Sequence, residues 1–167
     1  MSPAVSKARM YHSDSGLRVN VTVLDFMKGM NFIMNIALLA HDRRKELMVQ
    51  FCIAYCGILA NHALCATNTT GRLVAEATGL PITLYLSCNQ GGSQQIGSRI
   101  AYNEIDMVLF FCDPLLVDEY QGSVKDVARL CDQHNVPFAS NVATAEVLIH
   151  GLQRGDLDWR DIVNPKT

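Results

Sequence analysis

A chain of 167 residues, 49% hydrophobic and 18% charged, is long enough for one domain with a real core and too apolar for intrinsic disorder. Its formal net charge of -2 excludes nucleic acid or an anionic membrane as a partner held by bulk electrostatics, so any anion site must be local. No apolar run approaches the ~18 residues needed to span a bilayer, and Ser13-Asp14-Ser15-Gly16 stands where a secretory leader would carry its apolar segment.

Residues 1 to 34 read as an appended segment. Met1 to Gly16 is polar, and Val19, Val21 and Val23 give a weak strand signal. Phe26 to Phe32 is apolar around Gly29 and is assigned no single role, an edge strand, an oligomer arm and a cover over the site all remaining open. Asn35 to Ala40 is continuously apolar after its first residue, the pattern of a strand buried on both faces. Asp42 is a good cap for a helix over 43–61, whose apolar positions Leu47, Phe51, Tyr55, Ile58 and Leu59 recur at helical spacing. Lys45 falls in the first turn of that helix and can reach back over the preceding strand end.

The central stretch runs from Cys65 to Ser93. The apolar run 63–66 stops at Thr67-Asn68-Thr69-Thr70-Gly71, and a helix is expected over 70–78 with Gly79 as its C-cap. A strand handing over to a helix N-terminus presents free backbone N–H groups and a positive dipole end, which favour an anion such as phosphate. Plain capping by threonine or asparagine is the structural alternative. Pro81 starts a strand over 82–87, and Gly91-Gly92 opens a helix running to Tyr102. A fourth strand spans 106–112 and ends at Asp113-Pro114. Ser123 caps a helix over 123–134, with Val124, Val127, Leu130 and Cys131 on one face. A short strand at 137–140 leads to a last helix from Asn141 to Leu152, and then to a polar tail. None of the six cysteines forms a C-x-x-C pair, which fits packed free thiols in a reducing cytoplasm better than zinc ligation.

Apolar strands alternating with helices specify a doubly wound, three-layer α/β/α fold on a five-stranded parallel sheet. Ligands in such folds gather at the carboxyl ends of the strands. Those ends carry His41-Asp42, Thr67 to Thr70, Ser87-Cys88, Asp113-Pro114 and Asn141, so hydroxyl and titratable groups converge on one rim.

Together these strand ends resemble the methylglyoxal synthase family. Its motifs are A-H-D-x-x-K, A-T-G-T-T-G, S-G-P-x-G-G-D-Q-Q-I/V-G, F-x-x-D-P-L and N-x-x-T-A. The chain has Ala40 to Lys45, Ala66 to Gly71, Ser87 to Gly97, Phe110 to Leu115 and Asn141 to Ala145 in the same order, within a domain of residues 35–163 and a tail of 164–167. The fold also resembles the regulatory domain of carbamoyl phosphate synthetase, a binding module. The resemblance implies a cytoplasmic homohexameric lyase without metal or organic cofactor. It would convert dihydroxyacetone phosphate to methylglyoxal and inorganic phosphate, a carboxylate removing the proton beside the carbonyl before phosphate is eliminated. By motif match Lys45, Thr67, Thr69, Thr70 and Ser87 hold the phosphate, with Asn68, Cys88 and Gly92 at the motif positions among them. His41, Asp42 and Asp113 shape the site around the reacting carbons.

The departures fall on the chemistry. Ser93 stands where the family has its general-base aspartate, and losing a positioned base costs about 10²–10⁴ in rate. Cys88 replaces a glycine, Asn89 and Gln90 a proline and an apolar residue, and Asn68 the glycine of the threonine motif. In the loop after Pro114, Tyr120 and Ser123 replace a histidine and an aspartate. Arg160 is the nearest counterpart of a C-terminal arginine found in some members. Three readings follow. The first is a lyase of altered chemistry on a small phosphorylated metabolite, with Asp113, Asp42, His41, Asp118 or Glu119 moving the proton. Cys88 would then be a candidate nucleophile, and Tyr120 an oxyanion donor, a stacking group or a lid. The second is a non-catalytic module binding a phosphorylated metabolite or inorganic phosphate, and the third a methylglyoxal synthase of low efficiency. Structural roles stand beside these, since Asp42 can cap a helix and Asp113 can form a turn before proline.

Overall fold

The computed structural model describes residues 32–116 and 121–165, the side chains of 121 and 122 excepted. Strands β1 (Asn35–Ala40), β2 (Ala63–Thr67), β3 (Ile82–Tyr85), β4 (Met107–Phe111) and β5 (Phe138–Ala139) form one sheet in the order β3-β2-β1-β4-β5. Every neighbouring pair is parallel. Helices α1 (Lys45–Ala54), α2 (Cys56–Leu59), α3 (Asn68–Thr78), α4 (Gly92–Ala101), α5 (Gln121–Gln133), α6 (Val142–Gln153) and α7 (Trp159–Val163), with 3-10 turns at Asp42–Arg44 and Cys88–Gln90, complete the described elements.

Helices cover both faces, which is why the strands are apolar at successive positions instead of alternating with polar residues. Ile36, Leu38 and Ala40 pack with Met48 and Phe51 of α1, Val74 of α3 and Ile149 of α6. Ala37 and Leu39 pack on the other side with Ile96 and Ile100 of α4 and Val127 and Cys131 of α5. The chain winds outward from β1 through β2 to β3, then returns to lay β4 on the other side of β1. The order therefore reverses between β1 and β4, and a crevice opens at their carboxyl ends.

Two helical glycines allow close approach to the neighbouring strands and backbone. A Cβ at Gly71 would lie 2.4 Å from Leu84 Cδ2 and 2.9 Å from Ala66 Cβ, so α3 seats against β2 and β3 only without one. A Cβ at Gly92 would lie 1.9 Å from the Leu86 carbonyl oxygen, which is backbone and cannot swing away. Asn68 and Cys88, which the motif resemblance sets at glycine positions, do not adopt the positive φ that would call for glycine. The described non-glycine residues with positive φ are Asn103 and Asn135.

Several local boundaries differ from the sequence expectations. The helix expected over 43–61 is a 3-10 turn at Asp42–Arg44, then α1 and α2, broken at Tyr55 (φ -108°, ψ 20°). Tertiary contacts hold that break: the Tyr55 hydroxyl donates to Glu146 Oε1 at 3.2 Å, and its ring packs on Phe51 and His150. Asp42 makes no capping hydrogen bond to that turn or to α1. Helix α3 starts at Asn68, directly on β2, and Gly79 ends it at φ +74°. Helix α5 starts at Gln121, which places Ser123 inside the helix and not at its cap. The strand signal at 19–24, the apolar stretch 26–31 and the loop candidates Asp118, Glu119 and Tyr120 lie outside the described residues.

The polar tail is not simply solvated. It contains α7, whose Arg160 is 1% exposed and faces Asp106 with Nε 3.5 Å from Oδ1. The guanidinium also donates to the Asn135 and His134 carbonyls and to Asn103 Oδ1. Asp106 immediately precedes β4, and its Oδ2 accepts from Asn35 N at 2.8 Å at the start of β1. Arg160 thus clamps the amino ends of the strands, and β4, five residues long, sets it ~16 Å from the carboxyl-end crevice.

Two outcomes test this frame. Gly92→Ala should lower stability by ~3 kcal/mol, the upper end of the usual overpacking cost, in thermal or denaturant melts. Arg160→Met leaves Asp106 buried without its cation and should cost about 3–5 kcal/mol by the same measurement.

Candidate functional site

A cavity of about 340 Å³ opens at the carboxyl ends of four strands. Its walls come from Ala40 to Arg43 and Lys45 after β1, Thr67 and Thr69 at the β2–α3 junction, Ser87 to Asn89 after β3, and Asp113 and Leu116 after β4. The fifth strand end contributes nothing. Asn141 spends its side chain on capping α6, accepting from Thr144 N at 3.0 Å.

The first and fourth strand ends are tied together. His41 N donates to the Phe111 carbonyl at 3.1 Å, and Asp113 N donates to His41 Nδ1 at 2.8 Å. A ring nitrogen that accepts a hydrogen bond is unprotonated, so the His41 proton sits on Nε2. Burial depresses the His41 pKa, outweighing the opposing pull of Asp113 and Asp42. The imidazole is therefore a neutral donor. Its ring also meets Phe110 edge-on at 5.3 Å between centroids.

Asp113 is 6% exposed. Its Oδ1 accepts from Leu115 N at 2.9 Å, the turn anticipated for aspartate before proline. Its Oδ2 is buried without a hydrogen-bond donor among the described residues, and the nearest cation is Arg43, Nε 4.0 Å away. Asp42 behaves differently. Its side chain is 92% exposed and accepts from Lys45 Nζ at 2.5 Å, whereas the Lys45 side chain is only 19% exposed. That hydrogen bond and the ammonium charge hold the Asp42 carboxyl below the usual range.

At the second strand end, Thr67 occupies the N-cap position of α3 with extended backbone, but no side chain caps the helix. Thr67 and Thr69 line the cavity. Thr70 is 1% exposed, its Oγ1 lacks a partner among the described residues, and it does not line the cavity. Asn68 is turned to other work, accepting from Arg72 Nε at 2.8 Å.

At the third strand end, the Ser87 carbonyl accepts from both Gln90 N and Gly92 N at 2.9 Å, which folds the chain back into α4. Burial pushes the Cys88 thiol above its ordinary pKa, although Thr67 and Lys45 pull the other way. The net direction disfavours the thiolate that a nucleophilic Cys88 would need. Ser93 is buried in the first turn of α4, donates to Gln94 Oε1 at 3.3 Å, and does not line the cavity; neither does Gly92.

Of the candidates, the structure thus brings His41, Asp42, Lys45, Thr67, Thr69, Ser87, Cys88 and Asp113 to one cavity. It keeps Thr70, Asn68, Gly92 and Ser93 from its wall and holds Arg160 at the other end of the sheet. Arg43 and Leu116 line the cavity and received no role from sequence. No periodicity marks either, and only the adjacency of Arg43 to Asp42 could have drawn notice. Among the described residues, no group of three or more His, Cys, Asp or Glu is arranged to hold a metal ion, and no helix is long and apolar enough to cross a membrane.

Comparison with known proteins gives the same family. Residues 48–140 match the family described as the MGS-like domain. The methylglyoxal synthase of Caldicellulosiruptor saccharolyticus is 62% identical over 133 residues, covering 80% of this chain and 94% of that protein. The methylglyoxal synthase of Lysinibacillus sphaericus is 54% identical over 127 residues, covering 76% of this chain and 95% of its own. The crystal structure of methylglyoxal synthase from Elizabethkingia anophelis NUHP1 aligns with a TM-score of 0.66 at 40% identity, over 70% of this chain and 77% of that one. With its five ordered strand-end motifs on a parallel sheet of order β3-β2-β1-β4-β5, the chain belongs to the methylglyoxal synthase-like family.

Proposed function

We propose that the strand-end cavity takes the phosphate of a small phosphorylated ketone of the dihydroxyacetone phosphate type. The chain acts on it as a methylglyoxal synthase-like lyase in which proton transfer has been altered. One observation carries this reading: Lys45 and the hydroxyl residues Thr67, Thr69 and Ser87 line one cavity beside a helix N-terminus that no side chain caps. Ammonium, hydroxyl and backbone N–H donors together suit a phosphate dianion. The cavity volume lies near the lower end for ligand clefts and suits a ligand of few atoms. Asp42 is exposed enough to swing into solvent, which frees the less exposed Lys45 for the entering anion.

The reaction removes the proton from the hydroxymethyl carbon, giving an enediolate. The electron pair of the hydroxyl oxygen then forms the aldehyde, the double bond moves along, and the C–O bond to phosphate breaks. The resulting enol tautomerises to methylglyoxal. Phosphate held by Lys45 and the threonines is stabilised as a leaving group. What differs here is Ser93, a neutral hydroxyl at the position where the family has its aspartate. That hydroxyl is also bonded to Gln94 and absent from the cavity wall. The same observation favours a second reading, a non-catalytic module that binds the phosphorylated metabolite. In either case family membership supports a cytoplasmic homohexamer, and the exposed Leu73, Leu84 and Leu86 on α3 and around edge strand β3 offer it an apolar face.

Inorganic phosphate at 100 times Kd should stabilise the protein by about 2.7 kcal/mol in a thermal shift. Lys45→Ala should weaken binding about 10- to 100-fold through loss of a charge-assisted hydrogen bond. The unsubstituted sample should scatter light as a hexamer. No shift with phosphate or with dihydroxyacetone phosphate would overturn the phosphate reading. Methylglyoxal formation should run at least ~100-fold slower than in a relative carrying aspartate at the Ser93 position, and Ser93→Asp with Tyr120→His should raise it. A rate equal to that of such a relative would show that no proton acceptor is missing.

A further inference from the structure

We infer that Asp113 is the catalytic base of this chain, its Oδ2 taking the proton that the family's aspartate removes. The inference rests on the phosphate-binding reading of the cavity. It follows from what each other group there is already doing. His41 Nδ1 accepts from Asp113 N and Nε2 carries the ring proton, so the imidazole has no nitrogen lone pair with which to accept another. Asp42 is exposed, hydrogen-bonded to Lys45 and held in its weakly basic form. Cys88 is kept as a thiol by burial. Ser93 is a hydroxyl tied to Gln94 and lies off the cavity wall.

Asp113 alone among the described cavity residues combines the features a base requires. It lines the cavity and is buried, so a substrate carbon can meet it away from bulk water. Its Oδ1 is fixed by Leu115 N, and its main chain is fixed by His41, so the carboxylate has one orientation. Its Oδ2 receives no hydrogen bond from the described residues and keeps its lone pairs for an incoming proton. Arg43 Nε lies 4.0 Å from that oxygen, too far to occupy it with a hydrogen bond. In the step itself, the C–H bond of the hydroxymethyl carbon breaks, the proton goes to Asp113 Oδ2, and the bonding pair becomes the enediolate double bond. The carbonyl oxygen takes the negative charge. Elimination then releases phosphate, and the terminal carbon of the enol takes up a proton as the enol becomes methylglyoxal. Expulsion of phosphate can fail while this exchange persists, so the base is detectable without turnover.

The test is hydrogen exchange. The full chain is incubated with dihydroxyacetone phosphate in D2O, and loss of the hydroxymethyl proton signal is followed by NMR against a protein-free control. Phosphate binding is measured separately by thermal shift. The unsubstituted protein should exchange faster than the control. Asp113→Asn, which keeps the turn through its amide oxygen, should lower exchange at least ~100-fold with phosphate binding intact. Asp113→Glu should recover part of the loss. Exchange by Asp113→Asn at the parent rate would overturn the assignment, as would loss of phosphate binding in parallel with exchange. Absence of exchange in a parent protein that binds phosphate would sink the base assignment and leave the phosphate site standing. Failure of the parent to bind phosphate at all would remove the reading beneath it.

Discussion

The site depends on one pair of hydrogen bonds at the point where the strand order reverses. His41 N reaches the Phe111 carbonyl, and Asp113 N reaches His41 Nδ1. The first bond extends the β1–β4 ladder by one residue. The second converts a histidine side chain into a strut between two loops that are 72 residues apart in sequence. It also decides the chemistry of both partners. It fixes the imidazole as neutral, and it fixes the backbone from which the Asp113 carboxylate projects. Loops at strand ends are ordinarily the least constrained part of such a fold. Here they are held to the two central strands, which are the most buried.

Around that strut the cavity walls carry a balance of charge. Lys45 and Arg43 face Asp42 and Asp113, with His41 uncharged. An entering phosphate dianion disturbs the balance least at Lys45, because its partner Asp42 is almost wholly solvent-exposed and can be rehydrated. The same ligand near Asp113 would meet a buried carboxylate. In the proposed reaction the two ends of a phosphorylated ketone would therefore take different places in the cavity: phosphate toward Lys45 and the threonines, reacting carbon toward Asp113. This polarity follows from burial, and no side chain beyond those lining the cavity is needed to produce it.

Stability and chemistry sit at opposite ends of the sheet. The buried Arg160–Asp106 pair ties α7, the loop at 134–135 and the amino ends of β1 and β4 into one network. A buried pair of this kind adds little net energy over an apolar substitute, but it strongly penalises loss of one partner. It can therefore fix where the tail returns while leaving the carboxyl-end loops to vary. Asn68 and Cys88, at positions where the motif resemblance has glycine, fit that freedom. Neither position requires positive φ, Asn68 turns outward to Arg72, and Cys88 packs against the second core.

Strand existence, strand direction and the rim that bears the candidate site were determined by the sequence itself. Runs such as Ile36 to Ala40 and Met107 to Phe111 are apolar at every position, and only a parallel sheet covered on both faces can bury them so. The ordered motifs at the strand ends likewise carried the family. The tertiary structure alone decided which motif residues share the cavity. Ser93 and Thr70 lie in the same motifs as Ser87 and Thr69, yet helical geometry turns them into the protein. It alone decided that Arg160 is a structural clamp, since its partner Asp106 is 54 residues away and no local pattern links them. And it alone showed that His41 is spent as an acceptor while one oxygen of Asp113 is not. Periodicity and propensity act between near neighbours along the chain, whereas a proton's destination is set by whichever lone pair the folded packing leaves without a donor.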